Sequence, residues 1–167
     1  MSEKKGAEAV RPTTTLELRG DRELVITRSF RAPPRLVFQA WTQAEFVRRW
    51  WAPKSRGVEI VECTAQVEVG GRYRYLLRRG DDQFGFSGRY TEVSPPRRLV
   101  YTQVFEAFPG AEAIITVTFE DRDGHTFMSS HELYPSPEAR DGALASGMED
   151  GMRETLDQLD DLVRTLV

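Results

Sequence analysis

The segment from Ser136 to Leu166 carries a helical pattern that constrains the fold more than any other stretch of the chain. Its apolar side chains recur at steps of 4, 4, 4, 3, 4 and 3 residues, which is the period of one helical face. They are Leu144, Met148, Met152, Leu156, Leu159, Val163 and Leu166. Charged residues, including Asp157 and Asp160, fill the opposite face, and we expect that face to be solvated.

The start of this segment is typical of a helix N-terminus. Ser136 suits the N-cap, Pro137 suits the first helical position, and a single helix from there to Leu166 would be roughly 45 Å long. The first half of the predicted helix is rich in small or flexible residues, namely Ala143, Gly147, Met148, Gly151 and Met152. Either the backbone packs closely on a sheet there, or these residues line a ligand pocket.

Length and charge narrow the class of protein. The 167 residues suit one domain, and a net charge of −3 provides no positive field that would attract nucleic acid. Cys63 is the single cysteine, and no apolar run is long enough for a membrane span or a secretion signal. We therefore expect a cytoplasmic protein without membrane insertion. Residues 1–14 are polar and aperiodic, which predicts a flexible N-terminal arm before a single domain over residues 15–167.

Most of the remaining chain predicts β-strands separated by turn signals. The first clear strand ends at Phe30, and two short helices carrying Trp41 and Trp50 follow it. From Val58 to Tyr134, apolar and polar residues alternate in successive segments. The pattern predicts an α+β fold in which a curved antiparallel sheet of six to seven strands wraps around the long C-terminal helix. The inward phase of the last strand is left open, because both of its faces are mixed.

Several motifs carry a family resemblance that covers nearly the whole chain. They are the segment from Arg31 to Thr42 with Trp50-Trp51-Ala52-Pro53, the segment from Val69 to Tyr73, Gly88-Arg89-Tyr90, and the segment from Ser146 to Met152. Together they resemble the START-like SRPBCC superfamily, and within it bacterial homologues of the C-terminal domain of the heat-shock-protein-90 ATPase activator. This resemblance implies the helix-grip (START-like) fold. Members of the superfamily bind lipids, hormones and polyketides, and some are enzymes.

Few residues suggest a reaction. His125 adjoins a turn and is expected to be solvated, while His131 could provide a hydrogen bond in a pocket. Serines lack an evident base, and no spacing of His, Cys, Asp or Glu suggests a metal site. We therefore predict no catalytic residues, no metal and no cofactor.

The aromatic inner face of the sheet remains as the candidate site. The predicted ligand-binding residues are Trp41, Trp51, Tyr75, Phe86, Tyr101, Gln103, Phe105, His131, Gly147, Met148, Gly151 and Met152. The leading hypothesis is a non-catalytic module that binds an apolar or amphipathic small molecule between the sheet and the C-terminal helix.

Two other hypotheses stay open, as does the oligomeric state. The first is a protein-interaction module related to the chaperone activator. That activator has a separate N-terminal domain, for which 167 residues leave no room, so we expect this chain alone not to stimulate the chaperone ATPase. The second is a cyclase- or hydrolase-like enzyme that uses the pocket tyrosines.

Overall fold

A computed structural model describes residues 12–167, so most of the arm predicted for residues 1–14 lies outside the described residues. The strands are β1 (Thr15–Arg19), β2 (Glu23–Phe30), β3 (Glu59–Ala65), β4 (Arg72–Arg79), β5 (Asp82–Ser94), β6 (Arg98–Phe105), β7 (Ala113–Arg122) and β8 (His125–Leu133). The α-helices of this region are α1 (Pro34–Thr42), α2 (Ala44–Trp50), α3 (Pro137–Ala145) and α4 (Met148–Leu166). A 3₁₀ turn, Lys54–Arg56, follows α2.

The strands form one antiparallel sheet in the order β1-β2-β8-β7-β6-β5-β4-β3. This confirms the predicted helix-grip α+β fold, with eight strands in place of six to seven. The additional strand is β1, which pairs with β2 along its whole length from Thr15 to Arg19. The two short helices consequently follow the second strand of the sheet.

The prediction of one long C-terminal helix was wrong, because the segment forms two helices. Gly147 adopts a left-handed conformation with φ of +80° between α3 and α4, and this conformation ends the helical hydrogen bonding of α3. The predicted start is as expected, since the Ser136 side chain accepts a hydrogen bond from the backbone N–H of Ala139. α3 contains no buried residue, whereas α4 buries Leu156 and Leu159 completely or nearly so.

The polar face of α4 was also predicted incorrectly at Asp160, which is fully buried. The guanidinium Nε of Arg31 donates to Asp160 Oδ2 at 3.0 Å, and the backbone N–H of Arg31 donates to Oδ1 at 3.1 Å. Arg28, only 1% exposed, donates to Asp157 and lies 4.0 Å from the Asp160 carboxylate. Buried ion pairs therefore fix the middle of α4 to the end of β2.

The core lies between the concave face of the sheet and α1, α2 and α4. The predicted alternation in β4 and β7 is confirmed, because Tyr73, Tyr75 and Leu77 are buried, as are their counterparts in β7. This core combines aliphatic side chains of α4 with aromatic side chains of β4, β5 and β6. The candidate site lies among these aromatic side chains.

Candidate functional site

A small aromatic cavity lies between the sheet and two tryptophans that belong to the helical layer. Its lining is Trp41, Trp51, Tyr73, Tyr75, Tyr90, Leu99, Tyr101 and Gln103. Its volume of about 10 Å³ is enough for roughly one water molecule. In this conformation the aromatic side chains themselves therefore occupy most of the space between the layers.

The adjacent tryptophans at the end of α2 have different roles. Trp50 is 2% exposed, and its indole N–H donates to the Ala40 carbonyl at 2.8 Å, so it belongs to the core. Trp51 is only partly buried, and its ring lies edge-on to Tyr75 and Phe86 with centroids 5.0 Å away in each case. Trp51 thus forms the outer wall of the cavity.

The Tyr73 side chain lies across a gap in the pairing of β5 with β6, between the pairs Ser87–Val104 and Tyr90–Tyr101. Its hydroxyl donates to the Thr102 carbonyl at 2.7 Å and lies 3.3 Å from Gln103 Oε1. Gly88 makes this approach possible, because a Cβ at that position would lie 1.8 Å from the Thr102 carbonyl oxygen and 2.9 Å from the Tyr73 ring. The candidate set predicted from sequence omitted Tyr73, although its alternation with Tyr75 places both on one face.

The cavity tyrosines are neutral phenols. Burial raises the pKa of Tyr90 to about 12, and it raises the pKa values of Tyr73, Tyr75 and Tyr101 as well. Neighbouring phenols and carboxylates raise the pKa values of Tyr73, Tyr75 and Tyr101 further, because they oppose a nearby negative charge. The Tyr73 hydroxyl already donates to Thr102, whereas the hydroxyls of Tyr90 and Tyr101 can donate hydrogen bonds to a ligand. The environment of all four opposes the phenolate that a base or nucleophile would need.

A carboxyl group that the sequence analysis missed points to the same concave face. Glu132 of β8 pairs in register with Leu24 and Ile115, both of which are buried. The Tyr134 hydroxyl donates to Glu132 Oε1 at 2.8 Å. Burial raises the pKa of the Glu132 carboxyl, and the hydrogen bond from Tyr134 opposes that rise. Glu132 is absent from the predicted ligand-binding residues because the sequence of β8 does not show which of its two faces points inward.

Seven of the predicted site residues come together. Trp41, Trp51, Tyr75, Tyr101 and Gln103 line the cavity. Phe86 and Phe105 continue the aromatic surface beyond Trp51, where their rings stack with centroids 5.1 Å apart. This aromatic surface lies mainly on β4, β5 and β6.

The other predicted residues lie elsewhere. His131 alternates with Glu132 and so lies on the outer face of the sheet, where its Nε2 is 2.6 Å from the Glu23 carboxylate. His125 is exposed, as expected. Gly147 is exposed at the helix break, and a Cβ on Gly151 would meet Arg56 at 3.5 Å.

The two methionines of the predicted set are partly buried near the start of α4. Met152 packs against the core cluster, but neither Met148 nor Met152 lines the cavity. The predicted glycines and methionines therefore do not form the cavity wall. Trp41 and Trp51 form it on the helical side.

Two further findings concern the described residues. Within residues 12–167, no group of three or more His, Cys, Asp or Glu side chains is arranged so that it could hold a metal ion. None of the helices in this region combines the length and the apolar character that crossing a membrane requires.

A curved antiparallel sheet that encloses helices and an aromatic interior defines the START-like helix-grip class. More specifically, a profile described as Activator of Hsp90 ATPase homolog 1-like protein matches residues 31–164, and the chain belongs to this family. The resemblance drawn from the sequence motifs is thereby confirmed. At the level of the family, the fold is that of a ligand-binding or Hsp90-activator-like module.

Solved structures agree with this assignment. A protein of Rhodobacter sphaeroides is 25% identical, with a TM-score of 0.84 over 91% of this chain and 99% of that chain. Protein Ms6760 of Mycobacterium smegmatis is 26% identical, with a TM-score of 0.78 over 90% and 96% of the two chains. A Staphylococcus epidermidis protein is 26% identical, with a TM-score of 0.76 over 92% and 95%. No curated protein matches the chain.

Proposed function

We propose that this domain binds an apolar or amphipathic small molecule on the aromatic part of the concave face. The observation that supports this function is the composition of the cavity, whose lining consists of four tyrosines, two tryptophans, Gln103 and Leu99. Aromatic rings offer a large apolar contact area, and the phenols and the amide offer hydrogen bonds to a polar group.

The size of the cavity requires that the site open when a ligand binds. Pockets for small organic molecules occupy roughly 300–1,000 Å³, and the cavity of about 10 Å³ is far smaller. Trp51 is the wall best placed to move, because it is partly exposed and lies beyond the end of α2. Trp50, by contrast, is fixed by its hydrogen bond to Ala40.

A titration with the apolar fluorescent dye Nile red tests this function. The wild-type protein should show saturable binding, and Trp51→Ala should raise the association rate constant severalfold in stopped-flow experiments, because the wall that must move is gone. Phe108→Ala is the matched control, since Phe108 is an exposed aromatic residue outside the cavity. Absence of saturable binding by the wild type, or equal association rates for both variants, would contradict the proposal.

A second candidate function is binding of a partner protein. The supporting observation is a surface groove of about 620 Å³ lined by Pro33, Pro34, Arg35, Pro96, Arg97, Phe119, Glu120 and Asp121. Its mixture of prolines and charges of both signs suits a polypeptide segment.

Stimulation of the ATPase activity of Hsp90 tests this alternative. Arg97→Glu would reverse a charge in the groove, and Arg164→Glu would make the same change on the exposed face of α4. A saturable stimulation that only Arg97→Glu abolishes would favour partner binding over the small-molecule function. Lack of stimulation by the wild type would argue against it.

A further inference from the structure

The concave face has a polar end near the aromatic cavity. One row of residues runs in register across five strands and points to the same side of the sheet. It consists of Leu24, Glu132, Ile115, Tyr101 and Tyr90. Glu132 thus faces the same interior as the cavity residue Tyr101, with one apolar residue between them.

The Glu132 carboxyl has unused capacity to accept hydrogen bonds. Among residues 12–167, Tyr134 is the only donor that the structure places on it, and it binds Oε1. An ionised carboxylate can accept about four hydrogen bonds, and its neighbours in the row, Leu24 and Ile115, offer none. Glu132 is only partly buried, so its second oxygen is open to water, and a ligand that displaces this water is favoured if it donates a hydrogen bond to the carboxyl in its place.

The spacing across the sheet indicates the size of such a ligand. Glu132 and Tyr101 are two strands apart, which corresponds to about 10 Å at the usual strand separation. Ile115 is the one side chain between them in this row, and the next row contains the small residue Ala113 directly opposite Gln103. A molecule with two fused aromatic rings is about long enough to span this distance.

We propose that the ligand is a two-ring aromatic molecule whose hydroxyl group donates a hydrogen bond to Glu132 while its rings lie against the tyrosines under Trp51. This inference rests on the small-molecule function proposed above, and it adds the chemical class of the ligand and the residue that orients it. Tyr134 is a positioning residue, since its hydrogen bond holds the carboxyl.

Two probes with the same rings test this assignment. 2-Naphthol carries the donor hydroxyl, and 2-methoxynaphthalene lacks it, so NMR titrations of the full chain with each probe isolate the hydrogen bond. The wild type should bind 2-naphthol about tenfold more tightly, as expected for one hydrogen bond to the Glu132 carboxyl. Glu132→Leu should bind both probes with similar affinity, because the acceptor is gone.

The neighbouring residue supplies the matched control. His131→Leu changes the adjacent position on the outer face and should preserve the preference for 2-naphthol. A second measurement uses the unaltered protein, in which 2-naphthol should shift the ¹³C resonance of the Glu132 carboxyl and 2-methoxynaphthalene should not. This measurement stands even if Glu132→Leu does not fold.

The outcomes separate the two proposals. If both probes bind the wild type equally, or if Glu132→Leu retains the preference, the role of Glu132 is wrong while the small-molecule function stands. If neither probe binds and Nile red does not bind, the small-molecule function itself is overturned, and this inference fails with it.

Discussion

Gly88 is a single residue at which the sheet tolerates no side chain. We expect Gly88→Ala to lower the free energy of unfolding by about 1–3 kcal/mol, because its Cβ would overlap the backbone oxygen of Thr102. Gly110→Ala is the control, since no atom lies within 4 Å of the Cβ position there. Denaturant unfolding should separate the two variants, and similar midpoints would contradict the close approach of Tyr73 across Gly88.

Asp160, which is fully buried, compensates the charges of Arg28 and Arg31. Asp160→Ala should cost about 3–5 kcal/mol of unfolding free energy, because it removes one of the two carboxylates near the buried Arg28 and the acceptor of the Arg31 Nε hydrogen bond. Arg164→Ala removes a charge from an exposed position of the same helix and should change stability by less than about 0.5 kcal/mol. A loss for Asp160→Ala as small as that of the control would show that the ion pairs do not hold α4.

These residues also show what a hydrophobic pattern can and cannot predict. Alternation placed Tyr75, Tyr101 and Gln103 on the inner face, because each belongs to a strand with one clearly apolar side. It could not place Glu132, because a carboxyl group on a core face breaks the pattern that defines the face. Asp160 was missed for a related reason: its partner Arg31 is distant in sequence, and period alone cannot reveal the pairing.

At the scale of secondary structure, the sequence predicted that the C-terminal segment is helical but did not predict its division into two helices. The apolar period continues from Leu144 to Met148 as though no interruption were present, since only Gly147 leaves the right-handed helical conformation. A glycine in a helical pattern is compatible with close packing, with a cavity or with a helix end. The left-handed backbone conformation of Gly147 shows that this glycine marks a helix end.

Two glycines of this segment should respond in opposite directions to alanine. Gly142 lies inside α3 with nothing near its Cβ position, so Gly142→Ala should stabilise the protein by up to about 1 kcal/mol. Gly147→Ala should destabilise it by about 1–2 kcal/mol, because φ of +80° is unfavourable for any residue with a Cβ. Thermal melts followed by circular dichroism would measure both, and a shift of the same sign would contradict the helix break.

For the whole molecule, the order of strands and turns was predictable, because glycine, proline and aspartate clusters separate the alternating segments. The first strand predicted from the sequence ends at Phe30, and the pairing of β1 with β2 accounts for the higher strand count. The size of the cavity was not predictable, because it depends on how the aromatic rings pack and not on which residues face inward.

The alkaline titration of the whole protein should reflect the burial of its phenols. Burial raises the pKa values of Tyr73, Tyr75, Tyr90, Tyr101 and Tyr134, which are all 5 tyrosines of the chain. Since the folded pKa values exceed the unfolded value of about 10, this contribution to stability is complete below pH 10 and is lost as the pH rises through the folded values. Absorbance of the native protein at pH 10 should therefore show little tyrosinate, and half-ionised tyrosines in the folded protein would contradict the buried cluster.

The left-handed break at Gly147 divides the C-terminal segment into parts of unequal protection. α3 buries no residue, whereas α4 is fixed by its leucines and by the buried carboxylate of Asp160. Separate helices can open separately, and an element with little buried surface opens at a smaller free-energy cost than global unfolding. Amide hydrogens of α3 should therefore exchange with deuterium long before those in the second half of α4. The chain thus combines a slowly exchanging core with one helix, α3, that opens and closes on a much shorter timescale.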